Sequence, residues 1–394
     1  MRARQREADE ASLDILVPTY NRPLLLRRAI ESVLAVEIEG LRLVIIDDGS
    51  EAWESDDGVL VSTPDVVAAF DDPRVHYTRL PKNAGLGEVF EVYKYLPGKS
   101  KYFTVLNDDD YFVDDEPVAD AIAKLEADPE IAFVQISLTR QSDDLEISET
   151  IDLHHPRMSG QDFIRCYIDE EPIKHTTMYG IFRTAHIAAT DALRSLRLED
   201  QGLRDAFGID TDFILRMATM GDVDFVNRPH VLRRETEGLT ERYPVMFGYC
   251  YYQYILRGLA YLRERGQIAF EYEQRFVAYW LEVMLMMYSG SFDAPRARER
   301  GDENVRAHAG MGFHDYILGQ ARDFQFELNP RTQALFEVSQ ARKSQFEQPP
   351  GIVPQAAEQL SKRGGDVAEV DIWENERSVM RDTLGRLRQY VRRG

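Results

Sequence analysis

The feature that most constrains this chain is an alternation, from Leu13 to Arg140, of short apolar runs with amphipathic stretches. LDILVP is a β-rich run stopped by Pro18; a polar turn, TYNRP, leads into LLLRRAIESVLAV, whose apolar residues recur at helical spacing. LRLVIIDDGS repeats the pattern, an apolar strand ending abruptly on Asp47, Asp48, Gly49 and Ser50. RVHYTRL (74–80) reads as an exposed or edge strand, NAGLGEVFEVYKYL (83–96) as a loop entering a helix, and KYFTVLNDDD (101–110) as a buried strand. A helix over PVADAIAKLEADPE and a fifth strand, IAFVQISLTR, continue the series, and a later stretch predicts a helix over FILRMATM and a strand over VDFV. Near-continuous apolar strands alternating with helices imply an α/β fold, a mainly parallel sheet covered on both faces. Ligands of such sheets collect at the carboxyl ends of the strands.

Two of those ends are clusters of aspartate. Strand geometry carried through to Asp110 would point Asn107 and Asp109 one way and Asp108 and Asp110 the other. Carboxylates within reach of one another repel unless a cation or a proton sits between them. A hard divalent ion, Mg²⁺ or Mn²⁺, relieves that repulsion with one or two protein carboxylates and the oxygens of a substrate diphosphate. The plainer alternative is a solvated turn that caps the helix beginning near residue 116. The second acidic end, Asp47-Asp48, weighs against it, because a carboxylate there can accept from ribose hydroxyls or a base N–H.

Length and charge narrow the partners. A chain of 394 residues predicts one large domain and a smaller one, here an α/β domain over 1–244 and a mainly helical one over 245–394. The formal net charge of −21 argues against nucleic acid. Only Cys166 and Cys250 are present, so neither a disulfide framework nor a cysteine zinc site can form, which fits a reducing compartment. The N-terminal MRARQREADEAS has no apolar core and no run of about 18 apolar residues occurs anywhere, so the expectation is a cytoplasmic protein. QPPGIVPQAAEQLSKRGG (348–365) reads as a linker. The closing ERSVMRDTLGRLRQYVRRG places Met380, Leu384, Leu387 and Val391 on one helical face. That face fits packing on the helical domain, a homo-oligomer contact, or peripheral attachment at the inner face of a membrane.

From about Leu13 to Thr240, the order of motifs resembles the inverting GT-A glycosyltransferases of family 2. The resemblance rests on VPTYNRPLLLRRAIESVL, VIIDDGS, PKNAG, NDDDYF, GIDTDF and RRETEGLT. It implies a GT-A fold, Rossmann-like with a mainly parallel sheet flanked by helices, followed by the C-terminal helical domain. It further implies a nucleotide-diphosphate sugar donor, most often a UDP-sugar, a glycan or lipid-linked acceptor, and Mg²⁺ or Mn²⁺. Pro18, Thr19, Tyr20 and Arg22, with Asp47 and Asp48, would hold the base and ribose; Asn83 and Gly85 would meet the diphosphate or nucleotide. The acidic run would be the DxD metal motif. Matching its usual pattern puts Asn107 and Asp108 on the nucleotide side and makes Asp109 the principal metal ligand, with Asp110 beside it; a literal reading gives Asp108 and Asp110 instead. Asp210 would be the general base, with Asp212 its neighbour, and His175, Arg183, Arg233 and Arg234 are candidates to meet the diphosphate or acceptor. The chain departs from the pattern after Gly85, where it reads LGEVFEV, and at RRETEGLT, which lacks the expected histidine ligand.

The implied chemistry is inverting transfer, placed by family habit in bacterial surface polysaccharide or glycoconjugate synthesis. Asp210 takes the acceptor hydroxyl proton during attack on the anomeric carbon, while the metal stabilises the departing nucleoside diphosphate. Three alternatives fit less well. A dinucleotide oxidoreductase needs G-x-G-x-x-G after the first strand, where this chain has VPTYNRP. A sugar nucleotidyltransferase needs a glycine- and arginine-rich loop near its N-terminus, and a non-catalytic sugar- or polymer-binding module has no use for acidic strand ends.

Overall fold

The computed structural model describes residues 12–54, 60–141, 147–151, 153, 155–169, 178–196, 208–234, 244–291 and 312–346. The chain divides into two compact units, Met1–Gly238 with Gln253–Glu264, and Leu239–Tyr252 with Arg265–Gly394. The helix Pro244–Glu264 thus contributes residues to both.

The described strands of the first unit are β1 (Leu13–Thr19), β2 (Leu41–Asp47), β3 (Trp53–Glu54), β4 (Leu60–Val61), β5 (Val75–Arg79), β6 (Tyr102–Val105), β7 (Tyr111–Phe112), β8 (Ile131–Gln141), β9 (Ile147–Ile151), β10 (Ile181–Arg183) and β11 (Asp222–Arg234). Nine form one mixed sheet in the order β5-β2-β1-β6-β10-β8-β11-β7, with β9 beside the far half of β8. The expected mainly parallel sheet is there: β5, β2, β1, β6, β8 and β11 run one way. β10, inserted between β6 and β8, runs against both. Every residue of β1 and β2 is buried, as strands covered on both faces require. The helix Pro23–Leu34 covers one face with Leu26, Ala29, Ile30 and Val33, and begins on Pro23, whose fixed φ suits a first helical position.

The acidic run is where strand geometry fails. β6 ends at Val105, and Asn107–Asp110 is a turn closed by Asp110 N donating to Asn107 O at 3.1 Å. Asn and Asp favour turns because their side chains compete for nearby backbone groups. The expected alternation of the four residues between two faces is therefore replaced by a turn. β7 follows at once, and Val113 N donates to His230 O at 2.8 Å. His230 is wholly buried, its Nδ1 3.3 Å from Ser137 O and its ring edge-on to Phe112; burial pushes its pKa down to about 4.

At the opposite end of the sheet, Asp14 is fully buried and accepts from Arg42 Nε and Nη2, both at 2.7 Å, and from Tyr93 OH at 2.6 Å. Burial, with Asp14 beside it, holds the Tyr93 phenol far above its usual range. Aromatic rings then fill the interior: Phe213 meets Phe103 at 6.2 Å and Phe182 at 4.7 Å, seating the helix Ile209–Ala218.

The second unit is helical over its described residues, with Phe270–Ser291, Phe313–Asp323 and Pro330–Phe346 following its part of Pro244–Glu264. Tyr288 stacks on Phe313 at 4.2 Å, and His314 packs edge-on to Phe336. No described helix is long and apolar enough to cross a membrane. The closing stretch with Met380, Leu384, Leu387 and Val391, and the linker at 348–365, lie outside the described residues.

Candidate active site

The carboxyl ends of β1, β2 and β6 come together through their own hydrogen bonds. Asp48 N donates to Thr19 O at 2.9 Å, and Asn21 N donates to Ser50 Oγ at 2.9 Å, so the β1 and β2 loops are stitched to each other. Thr19, buried at the end of β1, donates its hydroxyl to Asp108 Oδ2 at 2.8 Å. Arg22 reaches the same turn: its Nη1 lies 3.3 Å from Asp108 Oδ1 and 2.9 Å from Asp109 Oδ2. Thr19, Arg22, Asp108 and Asp109 therefore form one connected cluster.

The three aspartates have different surroundings. Asp108 is buried, and burial together with the charge of Asp109 pushes its pKa up to about 7, against the opposing pull of Arg22 and Thr19. Asp110 is also buried; its Oδ2 accepts from Tyr179 OH, and from Asn107 Nδ2 at 3.3 Å. Asn107 Nδ2 also donates to Tyr179 OH. Asp109 is the least buried of the three.

Asp47 and Asp48 are engaged by the protein itself. Asp47 accepts from Ser50 N at 2.8 Å and Tyr77 OH at 2.6 Å, with Arg79 Nε at 3.6 Å. Burial and Asp47 raise the Tyr77 phenol above its ordinary range. Asp48 accepts from Ala84 N at 2.7 Å, Gly85 N at 2.9 Å and Asn83 Nδ2 at 3.0 Å. Two backbone amides and a side-chain amide on one carboxylate fix the loop 83–85 against the end of β2. Gly49 permits that approach: its φ is +74°, and a Cβ there would stand 2.5 Å from the Lys82 carbonyl carbon.

The remaining predicted residues spread wider. Pro18 lies within β1 opposite Ile46, and Tyr20 is exposed beyond the strand end. Asp210 is half-buried in the first turn of the helix Ile209–Ala218, its Oδ1 accepting from Thr211 N at 2.9 Å. Gly208, with φ 91°, begins this helix, so neither Asp210, Thr211 nor Asp212 is its cap. Arg183 donates to the backbone carbonyls of Leu125, Asp128 and Ile131, which gives it a structural role between a helix end and the start of β8. His175 and the side chains of Arg233 and Arg234 lie outside the described residues. Tyr77, Arg79 and Tyr179 were not singled out by motif; a period-two reading of RVHYTRL that tracked which face carries Tyr77 and Arg79 could have found the first two.

Among the described residues, no group of three or more His, Cys, Asp or Glu side chains is placed to hold a metal ion by itself. What the turn offers is three consecutive carboxylates: Asp108 and Asp109 already face a common cation, Arg22, and Asp110 beside them faces Tyr179. That oxygen-only set suits a hard ion such as Mg²⁺ or Mn²⁺, which takes one or two carboxylates and fills its shell with phosphate oxygens and water.

Residues 14–188 match the model of Glycosyl transferase family 2. Over 98 residues the chain is 34% identical to the putative colanic acid biosynthesis glycosyl transferase WcaA of Escherichia coli (strain K12), which covers 25% of this chain and 32% of that protein. The fold is shared with S. aureus TarS 1-349, solved in complex with UDP-GlcNAc, at a TM-score of 0.51 and 13% identity over 85% of this chain and 89% of that one.

Proposed function

We propose that the protein is a metal-dependent, inverting glycosyltransferase, a reading supported by the match of residues 14–188 to the model of Glycosyl transferase family 2 and by the fold shared with TarS. It moves a sugar from a nucleoside-diphosphate sugar, a UDP-sugar in the first instance, to a hydroxyl of a glycan or lipid-linked acceptor. The observation that carries this reading is the cluster of Thr19, Arg22, Asp108 and Asp109 at the joined carboxyl ends of β1 and β6. Synthesis of a bacterial surface polysaccharide or glycoconjugate is the setting that the likeness to the colanic acid biosynthesis glycosyl transferase WcaA supports, and a cytoplasmic site at the inner face of the membrane is part of the same proposal.

In this reading the β1 loop and the loop held by Asp48 receive the nucleotide, with Pro18, Thr19, Tyr20 and Asn83 to Gly85 nearest it. Asp47 and Asp48 act chiefly by fixing those loops. Asp109, the least buried of the acidic turn, is the principal metal ligand; Asp110 is the second, and Tyr179 and Asn107 set how it faces. Bound there, Mg²⁺ or Mn²⁺ supplies positive charge against the departing diphosphate. Arg22 adds a second positive charge at the same turn. Asp210 accepts the proton of the acceptor hydroxyl as its oxygen bonds to the anomeric carbon and the bond to the diphosphate breaks, a single displacement that inverts the centre.

The test is a panel of UDP-, dTDP- and GDP-sugars with Mg²⁺ or Mn²⁺, read by thermal stabilisation and by release of nucleoside diphosphate. Metal-dependent release from at least one is the expected result. No response to any of them overturns the proposal.

A further inference from the structure

The helix that carries Asp210 is pinned from its inner side by residues well beyond the family-matched stretch. Asp212 is fully buried. Its Oδ1 accepts from Arg216 Nε at 2.9 Å, and its Oδ2 accepts from Arg257 Nε at 2.8 Å and from Nη2 of the same guanidinium. Each arginine has a second hold: Arg216 Nη1 donates to Thr190 O at 3.0 Å, and Arg257 Nη1 to Arg194 O at 2.6 Å. Tyrosine rings back both cations, Tyr261 at 4.1 Å from Arg216 and Tyr254 at 4.7 Å from Arg257. Arg257, Tyr254 and Tyr261 all belong to Gln253–Glu264, the later segment that joins the first unit. The approach is close: a Cβ on Gly258 would stand 3.1 Å from Leu215 Cδ1 and 3.3 Å from Asp212 Oδ1.

Two steps along an α-helix turn it by about 200°. With Asp212 directed inward, Asp210 is directed outward from the same turn, and the rotation of the helix about its axis decides where Asp210 aims. The packing of Phe213 on Phe103 and Phe182 seats the helix but is less directional than a bidentate ion pair. A carboxylate held on both oxygens by two anchored guanidinium groups resists it strongly, since the planes and lone pairs must match. Leaving Asp212 buried with its partner removed would drive the side chain to seek water or another donor, turning the helix with it.

We propose that Asp212 and Arg257 are positioning residues for the transfer reaction, fixing the rotation of the helix Ile209–Ala218 so that Asp210 meets the acceptor hydroxyl. The segment Gln253–Glu264 is then part of the catalytic scaffold, although it lies outside the stretch that matches the family. The inference rests on the reading of Asp210 as general base.

The experiment uses the full chain and the nucleotide sugar of the panel that releases diphosphate fastest, with five proteins: the parent, Arg257→Met, Arg257→Lys, Gly258→Ala and Asp210→Asn. Arg257→Met keeps the stem that packs on Tyr254 and removes the charge. We expect kcat to fall about 10- to 100-fold, the scale on which a 1 Å misplacement acts, with the donor KM and the stabilisation by UDP and Mn²⁺ unchanged. Gly258→Ala, a neutral wedge of one methyl group, lowers kcat severalfold with the same split, and it serves if Arg257→Met does not fold. Arg257→Lys restores a cation and recovers part of the loss. A parent kcat in the folded fraction of both variants, whatever their melting temperatures, overturns the inference. Full turnover in Asp210→Asn would instead overturn the base assignment on which it rests, so the two failures are separable.

Discussion

Arg22 and Asp109 form an ion pair of 2.9 Å, so the acidic turn holds a cation of the protein's own. The pair is partly exposed and Arg22 is shared with Asp108, which makes it a contact that a stronger cation can displace. Replacing Arg22 by Gln removes the competitor. Mn²⁺ binding without nucleotide, measured by loss of the free-ion electron paramagnetic resonance signal, is expected to tighten about fivefold, the scale of about 1 kcal/mol for such a pair. An unchanged or weaker affinity would mean that the two cations use different oxygens.

Asp109→Asn separates binding from folding. Turnover and nucleotide-dependent Mn²⁺ binding are expected to be lost, while unfolding stability in urea stays within about 1 kcal/mol, because the pair of Asp109 with Arg22 is partly exposed. Asp108→Asn weakens the bonds that Thr19 and Arg22 donate but also relieves a buried charge that the fold disfavours, so Mn²⁺ binding is the measurement that separates it from Asp109→Asn. If Asp108→Asn abolished Mn²⁺ binding and Asp109→Asn did not, the literal reading of the acidic triplet would replace the one adopted above.

Asp48→Asn loosens the loop 83–85 without touching the acidic turn. Charge-assisted bonds to Ala84 N and Gly85 N become neutral ones, each worth about 1.5 kcal/mol less at most. The expected outcome is a donor KM raised about tenfold with kcat within about threefold of the parent. A fall in kcat at constant KM would place Asp48 in the chemical step instead.

The buried imidazole of His230 gives the fold an acid limb. It stays neutral in the native state down to about pH 4, whereas in the unfolded chain it protonates near 6.5. Between those values the unfolded chain binds more protons, so stability is complete above about pH 6.5, falls as pH drops toward 4, and levels below that. The loss is on the order of 3 kcal/mol. The raised pKa of Asp108 acts in the opposite sense over the same range, so the measure is the difference between the parent and His230→Asn in urea unfolding at pH 7 and pH 5; the same slope in both would assign the effect to other groups.

Several residues of the candidate site stand out in the letters because they lie at the ends of local patterns. The run LRLVIID is a strand by composition, and Asp47 and Asp48 fall where it stops, so their neighbourhood follows from topology alone. The acidic triplet does fall just beyond the end of β6, but without the expected alternation of faces, since turn propensity overrode the geometry that a longer β6 would have imposed. Partners distant in sequence left no local signal: Tyr179 reaches Asp110 across 69 residues, and Arg257 reaches Asp212 across 45. The reversed direction of β10 was hidden for a similar reason, because three residues, Ile181–Arg183, carry no mark of orientation.

The ion pair at the far end of the sheet has a consequence for this geometry. Asp14 stands opposite Arg42 in the β1–β2 pairing, and the same register brings Thr19 opposite Asp47 five residues later. A slip of one residue between these strands would leave an aspartate facing leucine inside the protein and would exchange the two faces of every later pair. Uniformly apolar strands cannot mark their own alignment, since Leu, Val and Ile fit one another at any offset. Asp14 and Arg42 act as the zero mark of a ruler, read out at its other end as the place where Thr19 can touch Asp108.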